Sequence, residues 1–224
     1  MSTDWKDEIF AQKSLWEVYR TSRSALPRPR INTQIFWTSV AIVAAFLVSL
    51  AVDGGENFTD QDAVSFLRFV AGQGTSLSIG ILGFLVAGFA IFASVTRAEL
   101  FITLAKIPYK RDGVETGINR LQFVFFNFMN VFTVYIGLLA LCLVIVVFFA
   151  DRSPLLVAAS NTVSPHPLVP ILAIGSITCL LLLALVTAIL KLKSFVWNLY
   201  QTVLVTIATE AQIAELEAAP DTEE

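Results

Sequence analysis

Four stretches of this chain, 31–52, 69–96, 121–150 and 153–190, contain no Asp, Glu, Lys or Arg. A helix needs about 20 consecutive apolar residues to cross a bilayer, and each stretch is long enough. The 56% hydrophobic share of the 224 residues is more than one soluble core can hide. The 15% charged share is also well below the roughly 25% of a soluble domain. The chain therefore reads as an all-α polytopic membrane protein, a four-helix transmembrane bundle with helices extended into the cytoplasm. Spans are expected at about 33–52, 75–96, 123–149 and 170–190, inside a transmembrane domain of 31–193. Residues 1–30 form an N-terminal segment and 194–224 a helical extension with an acidic tail. Four crossings leave too few residues for a separate catalytic domain.

The few cations are sorted by side. Thirteen of the fifteen Lys and Arg lie in the N-terminal segment, the middle loop (Arg97, Lys106, Lys110, Arg111, Arg120) and the final segment (Lys191, Lys193). Only Arg68 and Arg152 fall in the other two loops. The positive-inside rule then places both termini and the middle loop in the cytoplasm. The acidic residues and six cations before the first apolar run do not fit a cleaved signal peptide, so the first span reads as a signal anchor. Net charge of -3 gives no basic face for nucleic acid, and no direct nucleic-acid binding is expected. Cys142 and Cys179 sit inside apolar windows and behave there as small hydrophobes, leaving no disulfide to brace an outer loop.

In residues 1–26, Trp5, Ile9, Trp16 and Tyr19 fall near one helical face, with Lys6, Lys13 and Arg20 on another, before Pro27 and Pro29. This suits a helix lying in the headgroup layer or a solvated tail that only anchors topology. The first outer loop gathers Asp53, Glu56, Asp60 and Asp62, but without the alternating ligand spacing of a calcium loop. The prolines of 153–170 and the lone His166 read as an extended, solvated outer loop.

The second span carries the clearest pattern. Ser76, Gly80, Gly83, Ala87, Ala90 and Ser94 recur at spacings of 4, 3, 4, 3 and 4, which lays six small side chains on one stripe. Small residues let helices approach closely in lipid, where van der Waals contact drives association. The partner is another helix of the same subunit, a second subunit or a pore. The helix is expected to continue past Arg97 until Pro108 stops it, followed by a polar, basic loop. In the third span Asn127 and Asn130 share one face. An unpaired amide in hydrocarbon is costly, so both are expected to face protein, through interhelical hydrogen bonds, or a water-filled pore. Lys191 and Lys193 are expected to snorkel at the end of the fourth span.

Past those lysines, sixteen uncharged residues (194–209) are short for a fifth crossing and read as a cytoplasmic continuation of the fourth helix. Phe195, Leu199, Tyr200, Val203 and Ile207 make its candidate partner or oligomer face. The cytoplasmic ends of the same subunit cover that face, or copies of the helix associate through it. No catalytic constellation is visible: there is one histidine, no HExxH, no P-loop and no Cys-x-x-Cys. The spans hold no Asp, Glu, Lys or Arg for a proton relay. No catalytic residue, metal ligand or cofactor is expected, and the chain is expected not to be an enzyme.

The layout of four short spans, together with Gly83-Phe-Leu-Val-Ala-Gly-Phe-Ala-Ile-Phe-Ala-Ser94 and Ser194-Phe-Val-Trp-Asn-Leu-Tyr200, resembles the four-pass inner-membrane subunits of bacterial anti-phage systems such as Kiwa. The resemblance implies a homo-oligomeric membrane sensor, scaffold or effector in antiviral defence, surrounded by membrane lipid and engaging a cytosolic protein partner. An ion channel or membrane-disrupting pore is the alternative.

Overall fold

In hydrocarbon a backbone has only itself to hydrogen-bond, so the apolar windows fold as helices. The computed structural model describes residues 30–53, 59–95, 98–111, 114–150 and 168–218, together with Glu17 and Arg20. The expected amphipathic face of residues 1–26, the proline-rich loop and the last residues of the tail lie outside these. The elements in order are α1 (Arg30–Asp53), α2 (Asp60–Val95), α3 (Ala98–Lys106), β1 (Pro108–Arg111), β2 (Val114–Asn119), α4 (Arg120–Phe148) and α5 (Leu168–Ala218). Of these, α1, α2, α4 and α5 are each long and apolar enough to cross a membrane. The chain is an all-α, four-span integral membrane protein.

Two helices run further than their apolar windows. The N-terminus of α2 precedes the span expected near 75, because Thr59 and Asp62 close its first turn. The Asp62 carboxylate accepts from the Thr59 amide at 3.1 Å and from its hydroxyl at 2.6 Å, so orphan donors are met and charged residues enter the helix. Arg68 is thus a helical residue. The 51 residues of α5 form one uninterrupted helix, which at 1.5 Å per residue is about 76 Å long. That is more than twice the roughly 30 Å hydrocarbon core.

The basic loop between α2 and α4 is more ordered than its composition suggests. The short helix α3 ends before Pro108, and β1 and β2 pair antiparallel with Arg111 opposite Val114. Asn119 then caps α4 in a reciprocal box: its Oδ1 accepts from the Gln122 amide at 2.8 Å, and Gln122 Oε1 accepts from the Asn119 amide at 3.1 Å. Tyr109 stacks on Phe123 at 4.1 Å, and Leu104, Ala105 and Leu121 form a small second core that fastens this unit to the start of α4.

The main core lies between α2, α4 and α5, with Leu67, Ala71, Leu85, Tyr135, Cys142 and Leu181 among its buried side chains. α1 leans on α5: Gly175 admits Leu47 and Leu50, and a Cβ there would stand 3.0 Å from Leu50 Cδ1. At the other end of that seam Asn32 Nδ2 donates to Ser194 Oγ at 2.7 Å. Most hydroxyls within the spans bond back to their own helix, as Thr75 does to the Ala71 carbonyl and Thr178 to that of Ile174, and need no neighbour. Arg30, Lys191, Lys193 and the hairpin mark one basic end of the bundle; Asp53, Asp60 and Asp62 mark the opposite, acidic end.

Candidate interaction site

Among the described residues nothing packs on the small-residue stripe of α2. Ser76, Gly80, Gly83, Ala87, Ala90 and Ser94 are all exposed, and a Cβ on Gly80 or Gly83 would meet no atom within 4 Å. The same-subunit reading of the stripe is therefore corrected. The row that does pack is Leu67, Val70, Gly74, Ser78 and Leu85, all buried. Gly74 and Gly80 differ by six residues and Ser78 and Gly80 by two, a rotation of about 200° in the latter case, which is the opposite side of the helix. A Cβ on Gly74 would approach Cys142 Sγ to 2.6 Å, so this glycine sets the distance between α2 and α4. The sequence signal for it is weaker, because only Ala63, Ala71, Gly74 and Ser78 on that face are small.

Asn127 and Asn130 are both buried within the subunit. Asn130 Oδ1 accepts from Lys191 Nζ at 3.0 Å, joining α4 to α5. The interhelical partner is thus the lysine expected to snorkel, which is half-buried and turned to protein. Three other buried hydroxyls, of Ser78, Thr133 and Tyr135, have no hydrogen-bond partner among the described residues.

Of the candidate face on the α5 extension, Phe195 is an internal contact. It is 7% exposed and meets Phe128 edge-on with ring centroids 6.2 Å apart. Leu199, Tyr200, Val203 and Ile207 are exposed, as are Trp197 and Leu204 beside them. Val203 and Ile207 lie one turn apart, and Trp197 and Tyr200 pair their rings at 5.9 Å. No described residue of the subunit covers Trp197, Tyr200 or Ile207, whereas Leu199 and Val203 also border α2 and α4 across a cavity. The apolar span of α5 runs to Gln201, so Trp197 and Tyr200 belong to it while Leu204 and Ile207 follow it, and a contiguous apolar surface that continues past a span marks an interaction site.

A feature not read from the sequence adjoins this ridge. Between α2, α4 and α5, at the basic end, lies a cavity of about 350 Å³ lined by apolar residues. Phe84, Phe89 and Phe92 come from α2, Val124, Phe125 and Phe128 from α4, and Phe195, Leu199 and Val203 from α5. The run of phenylalanines at the start of α4 was visible in the sequence; the space it encloses depends on how three helices diverge. Among the described residues no cluster of three metal-ligating side chains is found. No family model, curated protein or solved structure matches this chain.

Proposed function

We propose that this chain is a non-enzymatic, homo-oligomeric inner-membrane scaffold or sensor whose α5 extension engages a cytosolic protein. The single observation that carries the reading is the continuity of α5, which takes an apolar ridge well past Lys193 with no described residue of its own subunit over Trp197, Tyr200 and Ile207. The thirteen-to-two division of basic residues supports a cytoplasmic basic end. The outward small stripe of α2 supports contact between copies within the membrane. A bacterial anti-phage role follows from the resemblance in layout, and its readout is phage plating with and without the gene.

Leu199→Asp tests the ridge. The expected outcome is loss of the oligomer or of the copurifying partner with unchanged membrane insertion. Retention of both would remove the scaffold reading and favour the pore. The pore alternative rested partly on the two asparagines; their burial within one subunit, with Asn130 held by Lys191, gives it no support from that face.

A further inference from the structure

We propose that the apolar cavity at the basic end holds an acyl chain of an anionic phospholipid, with the lipid phosphate at Arg120. The cavity opens sideways, since two of its lining residues, Phe84 and Ile91, are each 64% exposed on the flank of α2. α2 carries no charge from 69 to its end at Val95 and α4 none from 121, so this flank faces hydrocarbon along both helices. Its volume is within the roughly 300–1,000 Å³ of ligand sites. An empty apolar space forfeits the dispersion contacts of its walls, and in a bilayer the filler at hand is a lipid tail.

A tail alone gains little by leaving the bulk lipid, which is equally apolar, so retention must come from the headgroup. Arg120, the first residue of α4, is that helix's one charged side chain. Arg120, Val124 and Phe128 occupy one face of α4 at spacings of four, and the last two line the cavity. Phe128 is thus about 12 Å along the axis from Arg120, two turns into the apolar stretch. Helical side chains lean toward the N-terminus, so the guanidinium lies outside the cavity, on the side where a headgroup would follow a tail held between Val124 and Phe128. Arg120 Nε is buried and has no hydrogen-bond partner among the described residues, a cost that a phosphate oxygen removes.

Gly88 provides a clean test, because it lines the cavity and a Cβ there meets nothing within 4 Å. Gly88→Leu therefore adds a side chain to the cavity wall from a position where its first carbon meets no neighbour. Full-length protein would be exchanged into nanodiscs of equal phosphatidylglycerol and phosphatidylcholine, and retained lipid counted by native mass spectrometry. Wild type is expected to retain phosphatidylglycerol, Gly88→Leu to lose it, and Arg120→Gln to lower its preference over phosphatidylcholine about fivefold. Equal retention by wild type and Gly88→Leu, or a preference indifferent to Arg120→Gln, overturns the proposal. So does a photoreactive side chain at Ile91 that captures residues 1–29 or a second copy instead of lipid. These readouts are independent of subunit count, so their failure leaves the scaffold reading standing.

Discussion

Gly74 and Gly83 belong to the same helix, yet the structure treats them oppositely. At Gly74 there is no room for a methyl group, because Cys142 Sγ already occupies its place 2.6 Å away; at Gly83 there is open space. In a soluble protein the hydrophobic pattern would distinguish the two faces. In lipid both faces are apolar, and spacing of small residues reveals that a helix is built for close approach without saying to what. The inward face of α2 is closed by α4 and α5, while the outward face has the more regular stripe and no partner among the described residues.

The contrast predicts a large difference between substitutions. Gly74→Leu should destabilise the isolated subunit by about 3 kcal/mol, the upper end of ordinary overpacking, in a detergent-unfolding titration. Gly83→Leu should leave that titration within about 0.5 kcal/mol of wild type, as surface changes do, while weakening assembly. A smaller probe sharpens the cause: Gly74→Ala should be costly alone and nearly harmless with Cys142→Ala, a coupling that a double-mutant cycle measures. Equal costs at Gly74 and Gly83 would erase the distinction between the faces.

Next in size is the polar tie between α4 and α5. Asn130→Leu leaves the half-buried Lys191 without its 3.0 Å acceptor and should cost about 1–3 kcal/mol in the same titration. Adding Lys191→Met should recover most of that loss, because both partners are then apolar. The smallest effect is expected at the α1 seam. Asn32→Ala removes a 2.7 Å bond to Ser194, and membrane hydrogen bonds average only about 0.6 kcal/mol.

Charge-free length made the four spans legible, and the uncharged run after Lys193 made the extension of α5 legible. The early start of α2 was obscured by Asp60, Asp62 and Arg68, which look like loop residues until the Asp62 amide is seen to donate to the Thr59 hydroxyl that caps the helix. The hairpin did leave a trace, since Asp112-Gly113 is a turn-forming pair flanked by the alternating Val114, Thr116 and Ile118. Its basic composition outweighed that trace. Phe195 was placed with the exposed ridge because periodicity gives faces, not neighbours: only the meeting with Phe128 shows that the bundle includes it, and the cavity that Leu199 and Val203 border carries the bundle further along α5. The pairing of Asn130 with Lys191 was hidden for a related reason, as a lysine at a span's end normally turns outward.

The most direct measurement is the number of copies in one wild-type particle, counted by native mass spectrometry in nanodiscs, beside the Gly83→Leu variant. A chain whose small stripe and α5 ridge are both open should assemble into more than one copy, and Gly83→Leu should shift it toward single copies. A wild-type protein that is a single copy at every lipid-to-protein ratio, or a count that Gly83→Leu leaves unchanged, would contradict the claim that α2 turns its small stripe toward another subunit.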